Sequence, residues 1–515
     1  MSLNKKTVGV LGSGISGLTY AYYLSKLHPQ VQINIFEKAK RSGGFINSPK
    51  AELNKDVTFE KGPRTLRGVS EGTLLILDLL DKFKALDKVK GIHTGSTANK
   101  KYLLEPHSNV DGSIGTLIEL PNSPSTIMKF LSDPICKYLV LGILKEPFVR
   151  AKVGGEEETV EQWFTRRFNK QVCDNFVSAM IHGIYAGDAS KLSVSLVFPK
   201  LVEIEKNHGS IVRYMIGQML KASKEKRELK KKQKQKNSQA EEKPLEVPES
   251  VKEYQSIIGS EFNFSNLMRY LKKYPMLMLQ GGLETLPKLI KENLPSNVKI
   301  HYDSDVTNIQ LKENGKVGLH CENHGDFEFD NLRSTINLKE FSKIVGNPEL
   351  TGKIDQVNHV GMITCNVYIP NHNRLSSYPG FGFLVPKKMT NNQWKLLGVI
   401  FDSEVEKNAV VPLYYYHALK TLKSDKINMT SEDVDQDAKE VIRLAQIKKT
   451  DEEYTKMTVM MGGYMLDETD LPISNSRIQH VVQEVLLGTM EIDLDQESGV
   501  ITERVWWKGQ YRWND

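Results

Sequence analysis

Apolar and polar positions change rhythm several times along the chain, and each rhythm predicts an element. Val8-Gly9-Val10-Leu11 is a short continuous apolar run, the pattern of a buried strand. Leu18, Ala21 and Leu24 then recur at helical spacing, and Val31-Gln32-Ile33-Asn34-Ile35-Phe36 alternates as a second strand that stops on Glu37. An extended segment, Val57 to Arg64, closes on a Gly-Pro turn and is followed from Leu74 to Leu86 by the stripe of an amphipathic helix. Val160 to Ala189, Leu192 to Asn207 and Ile211 to Leu220 read as helices. Strand signals return at Val298 to Tyr302 and Val306 to Leu311, then at Ile363 to Ile369, Gly382 to Val385, Leu397 to Phe401 and Met457 to Met461; the last four are expected to share one antiparallel sheet. No internal repeat is visible.

Two stretches break these rhythms. Between Ile127 and Val149, apolar clusters alternate with Pro134, Pro147, Lys129, Lys137 and Lys145, and Arg150 follows. That pattern fits either a pair of buried helices or a monotopic patch that dips into lipid while its cations meet headgroups. From Lys221 to about Ser250 large apolar residues almost vanish. The segment is expected to be a solvated, disordered or partly helical insertion, because it cannot bury enough surface to offset its ordering entropy.

Composition changes this picture little. The 515 residues, 39 % apolar and 26 % charged, are enough for two or more domains of ordinary globular type. The net charge of +6 is local, because Lys221 to Lys243 alone carries ten Lys/Arg against four Glu. The remainder is near neutral, so no nucleic-acid partner is expected. Cys136, Cys173, Cys321 and Cys365 form no CxxC pair, so no metal is expected and the thiols are read as reduced. No run of 18 apolar residues exists to span a bilayer, and Met1 to Lys6 reads as too short for a targeting leader.

The candidate chemistry sits in the first strand-helix-strand unit. Gly12-Ser13-Gly14-Ile15-Ser16-Gly17 joins the first strand to the helix, and Glu37 follows 20 residues after Gly17. In a dinucleotide-binding unit the first glycine allows the turn, the second lets amides approach a pyrophosphate, and the third packs helix on strand. The acid is placed to accept ribose hydroxyls. Just beyond it, Arg41-Ser42-Gly43-Gly44-Phe45 resembles the R-x-G-G motif of two-domain flavoproteins such as amine oxidases and phytoene desaturases, which implies FAD rather than NAD.

From Thr7 to about Val500 the chain resembles the fungal, mitochondrial type of protoporphyrinogen IX oxidase. The resemblance rests on Phe59 to Arg67, Gly183-Ile-Tyr-Ala-Gly-Asp188, Gly281 to Pro287, Gly380 to Pro386 and Leu397 to Ser403. It implies an α/β fold with a discontinuous Rossmann-type FAD domain (1–90 and 251–345). It also implies an antiparallel substrate domain (91–120 and 346–515), a helical membrane-binding domain (121–220) and a charged insertion (221–250). The implied reaction is the six-electron oxidation of protoporphyrinogen IX to protoporphyrin IX in haem biosynthesis, with O2 as acceptor and H2O2 as product.

By position, the family's FAD contacts fall on Gly12, Ser13, Gly14, Ile15, Ser16, Gly17, Glu37, Lys38, Arg41, Gly43, Gly44, Phe45, Gly62, Pro63, Arg64, Thr65 and Val306. Arg64 is expected beside the flavin as a catalytic cation. Lys101 falls where relatives hold a substrate propionate, and Phe381, Leu384 and Met460 fall on apolar substrate positions. The family's closing G-x-x-V-x-D segment is not found; the chain ends on Arg504 to Asp515, and the expectation is a cofactor site lacking that side. Further expectations are peripheral or monotopic attachment to the mitochondrial inner membrane, a homodimer and contact with ferrochelatase. Two other readings are a flavin-independent binding protein on the same fold, like Rab GDP-dissociation inhibitors, and an inactive truncated oxidase.

Overall fold

The computed structural model describes residues 6–51, 54–106, 114–121, 124–133, 136–152, 154, 156–235, 244–357, 360–389, 392–411, 422–423, 430–447, 453–466 and 473–507. Pro134 and residues 236–243 and 508–515 lie outside them, as do the side chains of Met128 and Lys129.

The first body is built on a four-stranded parallel sheet in the order Asn331–Ser334, Thr7–Leu11, Gln32–Phe36, Val298–His301. Val8, Val10, Ile33 and Ile35 are buried here, as the apolar runs predict. The helix Glu71–Lys82 starts earlier than its apolar stripe because the Ser70 hydroxyl accepts the Thr73 N–H and caps it. A smaller antiparallel sheet, Val306–Leu311, Val317–Cys321 and Gly325–Phe329, closes one end over Leu11 and Phe36.

The second body is a seven-stranded sheet in the order Ile501–Trp507, Met362–Pro370, Tyr454–Gly462, Leu396–Ile400, Gly382–Leu384, Tyr102–Pro106, Gly115–Glu119. All its pairs are antiparallel except Gly382–Leu384 on Tyr102–Pro106, which is parallel, a departure from the purely antiparallel sheet expected. Strand alternation separates its faces. Ile363, Cys365, Val367, Val399, Val459 and Met461 pack under the helix Asn475–Met490. Asn366, Thr458, Ile400, Met460 and Leu384 take the opposite face.

The chain divides between the two bodies differently from the sequence-based ranges. Val410, Leu422, Val434 and Val441 lie inside 346–515 yet are buried in the core of the first body. The described start of the charged stretch is helical. The helix Ile211–Gln235 runs well into it, since Lys, Glu and Gln favour helix once a preceding turn has nucleated one. Val247 and Val251 pack on the first core, and Glu249–Ile258 is helical.

The helical lobe centres on Val160, Trp163 and Phe164. Its helix Lys137–Lys145 buries only Gly142 among its residues. Leu141, Ile143 and Leu144 face outward, and Phe148 is 82 % exposed, so this segment is not a pair of buried helices. Among the described residues no helix is long and apolar enough to cross a membrane.

Candidate FAD and substrate cleft

The glycine turn is shaped as its spacing requires. Gly12 has φ +90° and donates its N–H to Phe36 O. A Cβ on Gly17 would stand 2.0 Å from Gly12 O, so only glycine lets the helix Ile15–Leu27 sit this close to the turn. No side chain caps that helix, whose N-cap is Gly14. The first amides of the helix have no intrahelical acceptor and, with the helix dipole, fit a pyrophosphate.

Glu37 is oriented from both sides. Its Oε2 accepts the N–H and the hydroxyl of Ser13 at 2.8 and 2.7 Å, and Oε1 accepts Ala39 N–H at 2.9 Å. Lone pairs remain for ribose hydroxyls. Ser13 itself is fully buried, its hydroxyl turned toward Glu37.

The R-x-G-G loop lies directly on the turn. Gly14 and Gly43 form a parallel bridge, Gly43 N–H donates to Ser13 O, and a Cβ on Gly44 (φ +56°) would meet Gly14 Cα at 3.2 Å. The Arg41 guanidinium donates to the carbonyls of Ser42, Gly44 and Ile46 at 3.1, 2.6 and 3.2 Å, so three of its five donors hold its own loop. Val306 is buried at the start of its strand, Lys38 pairs with Asp305 at 2.8 Å, and Phe45 is exposed.

Between the two bodies opens a cleft of about 370 Å³, large enough for part of a flavin or a tetrapyrrole edge. Glu60, Arg64, Thr65, Gly281 and Gly282 line it from the first body, and Tyr368, Phe381, Ile400, Asp402, Tyr454 and Lys456 from the second. Arg64 Nη1 donates to Asp402 Oδ1 at 2.7 Å and to Thr458 Oγ1 at 2.6 Å. The Glu60 carboxylate accepts from the Ser48 hydroxyl at 2.6 Å and from Leu283 N–H at 2.8 Å. Burial nevertheless pushes the Glu60 carboxyl above its ordinary pKa, outweighing those hydrogen bonds and the charges of Arg64 and Lys456. Lys456, also buried, pairs with Glu406, which accepts the Tyr454 hydroxyl at 2.9 Å.

The sequence-predicted residues thus fall into separate groups. The glycine turn, Glu37 and the 41–45 loop form one wall, and Arg64, Thr65 and Phe381 meet in the cleft. Gly62 is buried and Pro63 exposed beside them. Leu384 and Met460 pack with Ile400 in an apolar cluster on the same sheet face, while Lys101 is exposed at the mouth of its strand. Sequence reasoning assigned no role to Ser48, Glu60, Asn366, Asp402, Glu406 or Lys456. Glu60 and Asp402 do lie inside motifs that carried the resemblance, which was the available signal.

Comparison with known proteins agrees with this layout. Residues 15–403 match the flavin containing amine oxidoreductase family. Protoporphyrinogen oxidase of Saccharomyces cerevisiae is 35 % identical over 96 % of this chain and 84 % of its own length. The chain belongs to the protoporphyrinogen oxidase family. The Schizosaccharomyces pombe protoporphyrinogen oxidase is 31 % identical over 77 % of this chain and 75 % of its own. Among solved structures, one from Exiguobacterium sp. 255-15 superposes with a TM-score of 0.62 at 16 % identity, covering 98 % of this chain and 87 % of that one. Reduced UDP-galactopyranose mutase gives 0.55 at 11 % identity, covering 97 % and 83 %. These two likenesses establish the fold. Membership of the family makes the chain an FAD-dependent oxidoreductase.

Proposed function

We propose that this protein oxidises protoporphyrinogen IX to protoporphyrin IX, using O2 and forming H2O2. The observation that carries the reading is a cofactor-shaped glycine wall, Gly14 bridged to Gly43, in a chain that also opens a cleft between its bodies and is 35 % identical to a protoporphyrinogen oxidase. Bound FAD supplies the hydride acceptor. The amides at the start of the first helix would hold its pyrophosphate, Glu37 its ribose, and Val306 its adenine end. Loss of hydride from the macrocycle moves it toward aromaticity, so the chain's task is to orient the substrate and exclude water. Phe381, Leu384 and Met460 supply apolar contact, and Lys101 a point charge for a propionate.

We further propose peripheral attachment to a mitochondrial membrane through the face bearing Leu141, Leu144 and Phe148. Support comes from exposed apolar side chains ringed by exposed Lys137, Lys145 and Arg150. The tobacco relative is named mitochondrial.

Purified protein should be yellow, and its flavin absorbance should bleach when protoporphyrinogen is added without air. Colourless protein unable to retain added FAD would reject the oxidase reading and favour a flavin-independent binding protein on this fold.

A further inference from the structure

The cleft wall holds an arrangement that the glycine motifs do not account for. Arg64 and Asp402 form an ion pair whose side chains are only 12 % and 10 % exposed. Thr458 Oγ1 lies 2.7 Å from both Asp402 Oδ2 and Asn366 Oδ1, and 2.6 Å from Arg64 Nη1. Asn366 in turn donates to Glu60 O at 3.4 Å, tying the set back to the loop that carries Arg64. Asn366 and Thr458 are cross-strand partners on the sheet face turned toward the cleft. Asp402 stands at the start of the helix Asp402–Asn408, two residues past the strand that ends at Ile400.

Three separate elements therefore fix one guanidinium. Little solvent reaches the pair to screen it, so the Asp402 carboxylate sets how much of Arg64's positive potential the cleft feels. An isolated Arg64 would present a full cation. Paired at 2.7 Å with a carboxylate, it presents hydrogen-bond donors with most of the charge cancelled.

We propose that Asp402, with Thr458 and Asn366, is a positioning set for Arg64 that fixes its direction and neutralises it, so that a bound flavin meets an oriented fork rather than a free cation. The proposal rests on the reading of this cleft as the flavin site. The nearby Lys456 is paired with Glu406, so it does not restore an excess cation.

The test is the sign of the change in flavin midpoint potential in holoprotein variants, with FAD content and melting temperature measured beside it. Asp402→Asn keeps the shape but removes the carboxylate that pairs directly with Arg64, and the potential should shift positive. Arg64→Met leaves the carboxylate alone, and the shift should be negative. The double variant Arg64→Met/Asp402→Asn removes both charges and should return the potential close to that of the parent. Opposite signs that cancel are not what a purely structural pair produces, and if one single variant folds poorly the sign of the shift in the other carries the test. An unmoved potential in flavin-bearing Asp402→Asn overturns the proposal while leaving the flavin reading intact. Parent protein that takes up no FAD overturns both.

Discussion

At Gly17 a single missing carbon decides whether the cofactor wall exists. Gly17→Ala would drive a methyl group onto Gly12 O, 2.0 Å away, and separate helix from turn. FAD retained after desalting should drop at least about tenfold, a cost of roughly 1.4 kcal/mol or more in binding. Gly72, in the first turn of its helix, is the matched control, because a Cβ there would meet nothing within 4 Å. Gly72→Ala should leave flavin content alone and stabilise the fold by about 0.5–1 kcal/mol in chemical denaturation. Glu60 makes a pH prediction. Its carboxyl is raised above the unfolded value, so its native carboxylate is penalised at neutral pH and the penalty disappears as pH falls to the unfolded pKa. Native absorbance titration of holoprotein should show a group ionising above the ordinary carboxylate range, absent in Glu60→Gln. The glycine turn was legible because its residue types and spacing are local. The Arg64 set was not, because its hydrogen-bond partners stand 338 and 394 residues away and no short-range pattern joins them.

Whole elements were legible where the apolar rhythm was clean. The strands Met362–Pro370, Leu396–Ile400 and Tyr454–Gly462 enclose or nearly match their predicted cores, since each contributes a continuous buried run to the sheet. The helix Asn475–Met490 was not anticipated, although Ile478, Val481, Val482, Val485 and Leu486 stand at helical spacing and are all buried. In the helical lobe, stability depends on buried charges that periodicity does not report. Arg167 and Glu146 are an ion pair with no exposed side-chain surface, and Glu146 also accepts from the Ser210 hydroxyl and the amides of Ile211 and Val212. Burial alone would raise the Glu146 carboxyl; those hydrogen bonds and Arg167 outweigh it and hold the pKa below its usual value. Arg167→Met should cost about 3–5 kcal/mol by leaving a buried carboxylate unpaired. Because the native pKa is depressed, the contribution of Glu146 is complete above its unfolded pKa and is lost as pH falls through the folded one. Acid titration of the melting temperature should therefore flatten in Glu146→Gln.

Across the molecule, the exposed apolar face of the helical lobe sets the orientation proposed at a membrane. Leu139 packs inside the lobe, whereas Leu141 and Leu144 point outward, so Leu141→Asp with Leu144→Asp tests the surface without disturbing the core. Sedimentation with anionic liposomes should fall at least about fivefold at unchanged melting temperature, each aspartate removing apolar burial of roughly 1.5–3 kcal/mol; unchanged pelleting would exclude that face. The parallel sheet has a consequence of another kind. Its first strand pairs with Asn331–Ser334, and Thr7 binds Asp330 across 323 residues of chain. At about 5–20 residues per second of synthesis, that edge stays open for some tens of seconds after the first strand emerges. The nascent chain is thus exposed to mispairing at its apolar first strand until well past its midpoint. Its yield in cells should respond to chaperone supply and to translation speed.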